Sequence, residues 1–352
     1  MDKARIAVIG LGWIGFRHAQ LALESQEIEL VAVCDALEIA EKQAVKLGKP
    51  FYRNHNEMMD KEAIDGVVVA TPTRLHVPIG VACAERGLHI LVEKPISDSM
   101  EDSNTLVKAA ANNHVQLLVG HYRRFHRPVV AAREIVKSGR IGRFIGVSGM
   151  WSVLKEPQYF EPEWRRKPGA GPILTNMIHD VDCLRYICGE IAGIQSITSN
   201  KIRRHEIEDT AGVLIHFENG GIGTFLLSDT APSPWNFEAA TGDNPDLYKT
   251  GKNCYHFFGS EGSFSFPDLN IWCYPDSEHS GWKNPIKICE TALSSTDEPK
   301  EPLALQLDHF GRVIAGKEKP RCSGLDGMTT LSVIQSIFQA GLSGAKVTPS
   351  IP

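Results

Sequence analysis

The sequence predicts an α/β protein in two parts. Residues 1–122 read as a doubly wound parallel sheet, and residues 123–352 as an α/β domain with a large, mainly antiparallel sheet. Three observations predict this. Short β-branched runs alternate with helical stretches up to about residue 120. A G-x-G-x-x-G turn follows the first of those runs. Beyond residue 120, strand-like segments crowd together between tight-turn signals.

The elements follow in order. Residues 4–10 form an apolar run that ends in glycine, and a helical pattern covers Ile14–Ser25. A second apolar run at 28–35 leads to a helix over Glu38–Leu47. Then come Gly66–Ala70, a helix over Val77–Arg86, a strand at Leu88–Val92, a helix over Met100–Asn112 and a strand at Val115–Val119. These strands are continuously apolar rather than alternating, as expected when both faces of a parallel sheet are covered. A helix over Arg127–Lys137 opens the second part. Strands are expected at 143–153, 193–203, 210–217, 221–229, 235–241, 253–259 and 263–266. Turn signals such as Asn219-Gly220-Gly221 and Ser260-Glu261-Gly262 separate many of them. Two late helices, 302–315 and 325–341, are expected to pack back on the first domain.

The totals narrow the function classes. At roughly 150 residues per domain, 352 residues make two domains. A near balance of 37 basic and 42 acidic side chains gives no reason to expect a nucleic-acid or membrane partner. No run reaches the ~18 apolar residues of a membrane span, and no basic leader precedes the first strand. Eight scattered cysteines include no C-x-x-C pair and read as reduced thiols of a cytoplasmic protein. The thirteen histidines include no H-x-x-x-H pair, so no metal site is expected.

Gly10-Leu11-Gly12-Trp13-Ile14-Gly15 carries the first chemistry. Gly10 permits a tight turn, Gly12 lets backbone approach a pyrophosphate, and Gly15 lets helix and strand pack closely. The helix start offers unpaired N–H groups to phosphate oxygens. Trp13 and Ile14 are counted with this cofactor site. The second strand ends in Asp35, twenty residues past Gly15, where a carboxylate can bond ribose hydroxyls. That acid repels a 2′-phosphate, and Ala36-Leu37-Glu38 supply no cation, so NAD is favoured with NADP left open. Asp35 can also cap the helix that follows it.

Two further strand ends carry candidate residues. Thr71 and Pro72 follow one strand and can line the ribose side, with His76 at the next helix start serving either cofactor or structure. Glu93-Lys94-Pro95 follows another strand. The Lys94 ammonium can bond a substrate hydroxyl and stabilise the alkoxide that develops, and Pro95 fixes the backbone just past it.

The order G-L-G-W-I-G, T-P-T-R-L-H and V-E-K-P resembles the Gfo/Idh/MocA family of oxidoreductases over essentially the whole chain. The resemblance implies a Rossmann domain and an open α/β domain whose sheet forms oligomer interfaces, hence a homodimer or homotetramer. It implies a catalytic Lys94, with Glu93 and Pro95 shaping the cofactor site. It also places Tyr122 and Arg123 beside the substrate, and Trp164 and Arg165 near cofactor or substrate.

Residues 169–182 form a glycine loop that enters a helix. Helical spacing lets Asn176 and His179 share a face. A neutral imidazole can take the substrate's hydroxyl proton, and the Asn176 amide can orient the substrate. Many sugar and inositol members of the family carry an aspartate four residues before the histidine. This chain has Thr175 there, which leaves His179 as the expected base. The expected function is hydride transfer between NAD(P) and a secondary alcohol of a sugar, polyol, sugar acid or cyclic hydroxy acid. The alternatives are an NAD-dependent glycoside hydrolase using transient oxidation, and a dinucleotide-binding regulator without activity.

Overall fold

A computed structural model describes residues 3–276, 280–293 and 300–350. The first part of the chain alternates strands and helices in the expected order: β1 (Ala4–Ile9), α1 (Trp13–Glu24), β2 (Ile28–Cys34), α2 (Glu41–Leu47), β3 (Phe51–Tyr52), α3 (His55–Lys61), β4 (Gly66–Val69), α4 (His76–Glu85), β5 (His89–Val92), α5 (Met100–Asn112) and β6 (Leu117–Val119). The strand order is β3-β2-β1-β4-β5-β6 and every pairing is parallel. That is the doubly wound order, whose direction reverses between β1 and β4. All four β4 residues are buried, as two covered sheet faces require.

The second part runs α6 (Arg127–Lys137), β7 (Phe144–Ser152), α7 (Ile178–Cys188), β8 (Ile191–Ser199), β9 (Thr210–Phe217), β10 (Ile222–Ser228), α8 (Phe237–Thr241), β11 (Tyr255–Gly259), β12 (Gly262–Phe266), β13 (Asn270–Cys273) and β14 (Lys287–Thr291). Its eight-stranded sheet has the order β14-β13-β12-β11-β7-β10-β9-β8. Among the described residues only its β7–β10 pair is parallel. Val129, Ala132 and Ile135 of α6 and Val181, Leu184 and Ile187 of α7 share one core with Val147, Ile215, Phe225 and Phe257 of the sheet. The last helices are α9 (Pro302–Ile314) and α10 (Gly324–Ser343).

Two compact units result. The first runs to His126 and takes in α9 and the start of α10, as far as Leu331; the second begins at Arg127 and takes in Ser332–Ser350. In the first unit, Leu303, Leu307, Phe310 and Val313 of α9 join the core of β1, α1 and β2. A Cβ on Gly327 would lie 2.4 Å from Val119, so that turn of α10 approaches β6 too closely for any side chain.

Three expectations are corrected. Residues 235–241 were expected as a strand, but 237–241 form α8, because the Asn236 side chain accepts from the Ala239 N–H (2.8 Å) and caps the helix start. β3, α3, β13 and β14 had no expected counterpart; α3 is likewise started by an asparagine, Asn54. The cysteines are not all thiols: antiparallel β13 and β14 bring Cys273 and Cys289 to a Cα separation of 5.9 Å, and a disulfide joins them. The other six cysteines are buried thiols.

Candidate active site

The first unit carries a cavity of about 1130 Å³ at the carboxyl ends of β1, β2 and β4. Gly10, Leu11, Gly12, Asp35, Thr71 and Pro72 are among its lining residues. Gly10 has φ +94°, and a Cβ there would lie 2.5 Å from the Ala70 carbonyl oxygen. A Cβ on Gly15 would lie 1.9 Å from the Gly10 carbonyl oxygen, so Gly15 serves the packing of α1 on β1 rather than the ligand. Gly12 differs: nothing lies within 4 Å of the place its Cβ would take. It begins α1 with no side-chain cap, leaving the helix's first N–H groups for an anion.

Asp35 ties this loop to β2. One carboxylate oxygen accepts from the Leu11 N–H (2.7 Å) and the other from the Leu37 N–H (2.8 Å). Each oxygen keeps a lone pair for a ribose hydroxyl. Thr71 Oγ1 is buried with no hydrogen-bond partner among the described residues, an orphan a ligand can satisfy. An uncapped helix start, open space at Gly12 and this orphan fit a dinucleotide. Trp13 is 73% exposed and lines no part of the cavity, and Ile14 packs toward the core. Lys42, Arg53 and Arg74 line the cavity too. Arg53 comes from the β3–α3 turn and donates to the Ala36 carbonyl (3.1 Å), so a cation does stand beside Asp35.

The Glu93-Lys94-Pro95 turn follows β5 on the same sheet edge. Glu93 is buried, accepts from His18 Nε2 (2.7 Å) on α1, and accepts from the Lys94 N–H (3.1 Å). Burial pushes the Glu93 pKa up, but the His18 hydrogen bond and the His18 and Lys94 charges outweigh it and hold it low. Gly120 leaves room for this carboxylate, since a Cβ there would lie 2.9 Å from it. His76 is buried and works as a strut: its ring nitrogens face the Thr71 (2.8 Å) and Pro95 (2.9 Å) carbonyls and join the two loops. Arg123 is fully buried and Tyr122 packs toward the core. Arg124 pairs with Asp326 (3.2 Å) and donates to the Arg321 carbonyl (2.8 Å).

In the second unit, a single π-helical turn, Ile173–Met177, leads into α7 and carries Asn176 one turn before buried His179. Such turns insert one residue and re-aim the side chains around them. Asn176 Oδ1 accepts from Thr175 Oγ1 (2.9 Å) and from Lys155 Nζ (2.9 Å). Asp180, next to His179, is buried and accepts from the Tyr255 hydroxyl. Arg165 donates to the Tyr159 carbonyl (2.8 Å) and lies over the Tyr159 and Trp164 rings, while Trp164 is exposed.

Lys155 follows β7 in a polar cluster. Its Nζ is 3.8 Å from Asp229 and lies over the rings of Tyr159 and Trp151. Arg203 donates to Asp229 (2.9 Å) and to the Lys155 carbonyl (2.8 Å). Burial pushes the Lys155 pKa down to about 8 against the pull of Asp229. Burial also raises the Glu208 pKa, although its carboxylate accepts from the Ile173 N–H (2.9 Å).

Comparison with known proteins matches this arrangement in both parts. Residues 4–121 match the model of an oxidoreductase family with an NAD-binding Rossmann fold, and residues 129–265 match that family's C-terminal domain. The chain belongs to the GFO/IDH/MocA oxidoreductase family. It is 31% identical to scyllo-inositol 2-dehydrogenase (NAD(+)) of Bacillus subtilis over 94% of this chain and 92% of that one. It is 29% identical to 2,7-anhydro-N-acetylneuraminate hydratase of Escherichia coli over 52% of this chain and 49% of that one. The solved structure of levoglucosan dehydrogenase with NADH shares the fold, with a TM-score of 0.81 at 20% identity and full coverage of both chains. Within this GFO/IDH/MocA protein, Lys155, Arg203, Glu208 and Asp229 are the polar residues of this cluster that the sequence did not single out. The pairing of β10 with both β7 and β9, not any local spacing, brings Lys155 and Arg203 to Asp229, and Lys155 alone reaches Asn176. The one available signal was a lysine a few residues past a strand end.

Proposed function

We propose that this oxidoreductase oxidises a secondary alcohol of a neutral sugar or cyclic polyol with NAD. Bound NAD supplies the hydride acceptor. The chain's own groups handle the oxygen and its proton. The Lys94 ammonium donates to the substrate oxygen and stabilises the negative charge that grows there. The His179 imidazole takes the hydroxyl proton, and Asn176 orients the ring. The observation that carries the reading is that Lys94 follows β5 on the same sheet edge as the cavity lined by the glycine loop. The dehydrogenases among its relatives support the substrate class.

Neutral substrates stand ahead of acids because two of the arginines are neutralised by carboxylates, Arg124 by Asp326 and Arg203 by Asp229, while Arg165 donates to the Tyr159 carbonyl. NAD stands ahead of NADP because Asp35 lines the cavity, with Arg53 as the residue that would serve a 2′-phosphate. Transient oxidation without net reduction of the cofactor is the second reading, since a hydratase among the relatives has a name that implies no net redox change. A screen of scyllo-inositol, myo-inositol, levoglucosan and the corresponding acids with NAD and NADP, followed at 340 nm, tests the proposal. Turnover of at least one neutral polyol with NAD is expected. Activity confined to acids, or none with any substrate, would overturn it.

Self-association through the eight-stranded sheet is part of the proposal. Ile145, Ile197, Ile222, Leu226 and Phe258 are exposed along β7, β8, β10 and β11, and such a surface suits a second copy of the chain. Cytoplasmic residence is proposed from the six buried thiols, with the Cys273–Cys289 disulfide counting against it.

A further inference from the structure

An amine on a side chain that is 12% exposed ought to be well satisfied, yet the Lys155 ammonium makes a single hydrogen bond, to Asn176 Oδ1. Its other neighbours are Asp229 at 3.8 Å, too far for a hydrogen bond, and two aromatic rings. The place is built with care. The Lys155 N–H donates to the Asp229 carbonyl (3.0 Å), and Arg203 holds both the Lys155 carbonyl and the Asp229 carboxylate. Trp151, whose ring flanks the amine, is itself fixed by a bond from its Nε1 to Glu238 (2.9 Å). A salt bridge to Asp229 alone would require none of the reach to Asn176.

Asn176 explains that reach. The Lys155 ammonium can only donate, so the group it meets at 2.9 Å must be the carboxamide oxygen; the Thr175 hydroxyl, 2.9 Å from the same oxygen, divides its single proton between it and the Gly171 carbonyl (3.0 Å). The amide can therefore sit in only one sense. Its Nδ2 has no protein partner among the described residues, and Asn176 is half-buried one turn from His179. We propose that Lys155 is a positioning residue that locks the Asn176 carboxamide with its two N–H donors outward, so that this site reads an acceptor oxygen on the substrate. Resting on the polyol-dehydrogenase reading, the inference deepens it: the substrate carries, next to the reacting carbon, an oxygen with free lone pairs. A hydroxyl or ring oxygen meets that need, and a cationic amino group does not. Burial that lowers the Lys155 pKa still leaves the amine a donor in both protonation states.

Lys155→Met, Lys155→Gln, Asn176→Ala and the Lys155→Met/Asn176→Ala double variant test this. Each is assayed for KM and kcat with the best polyol of the screen, for NAD affinity and for Tm. Lys155→Met should raise KM about tenfold or more, the scale of one lost charge-assisted hydrogen bond, with NAD affinity unchanged. Lys155→Gln keeps a donor and should recover part of the loss; it also carries the test if the methionine variant does not fold. The double variant should be no worse than the worse single one, because both changes remove the same contact. An unchanged KM in folded Lys155→Met, a Gln variant no better than Met, or losses that multiply would overturn the inference and leave the dehydrogenase reading standing. A wild-type protein that neither binds nor oxidises any polyol removes that reading and the inference with it.

Discussion

At the scale of residues, two side chains carry the proposed chemistry and a small set holds them. Lys94 follows a carboxylate, Glu93, that is itself buried against His18. His179 is buried on α7 beside an aspartate engaged by Tyr255. Removing either working group should leave the fold and NAD affinity in place while lowering kcat. Lys94→Ala and His179→Ala are expected to fall about 100-fold or more, the usual scale for oxyanion and acid–base groups. Steady-state kinetics check this, and wild-type kcat in both variants would refute the assignment. Legibility differs sharply among these residues. Gly10, Gly12, Asp35, Thr71 and Pro72 were singled out by local signals, a glycine turn and strand ends, and the structure gathers all five around one cavity. Trp13 and Ile14 were carried along by the motif, yet one faces solvent and the other the core. Lys155 and Arg203 were hidden because their meeting at Asp229 is made by strand register.

At the scale of elements, the crossover helices and buried strands were legible, since hydrophobic period and β-branched runs are local signals. α5, α6 and β9 occupy the expected residues without a shift. The misses share a physical cause. α3 and α8 are short, and an asparagine cap decides each of them rather than a long apolar stripe. β13 and β14 lie at the outer end of the large sheet, where every β14 residue is exposed and no alternation marks a buried face. The π-helical turn before α7 was invisible as well, because a one-residue insertion in a helix leaves no compositional trace. It falls where the site needs a side chain re-aimed, between the glycine loop and His179.

At the scale of the molecule, the chain makes two compact units and returns to the first after building most of the second. Both late helices were expected back on the first domain; α9 places Leu307 and Phe310 in the core of the parallel sheet, whereas α10 from Ser332 onward belongs to the second unit. The open face of the eight-stranded sheet poses the larger question. Ile197 is 80% exposed, and Ile222 and Leu226 continue the apolar stripe on β10. Light scattering should give the mass of a dimer or tetramer, and Leu226→Glu should weaken that assembly. A monomer at micromolar concentration would contradict it. The disulfide between β13 and β14 lies at the far edge of the same sheet and closes a loop that sequence reading left open.

The central claim, hydride transfer between NAD and a secondary alcohol, is tested most directly by isotope. A polyol deuterated at the reacting carbinol carbon is turned over with NAD, and both products are analysed by mass spectrometry. The account predicts one deuterium in the reduced dinucleotide, none left at the oxidised carbon, and one NADH released per alcohol consumed. Product that forms while NAD is not consumed, or reduced dinucleotide without deuterium, would contradict it.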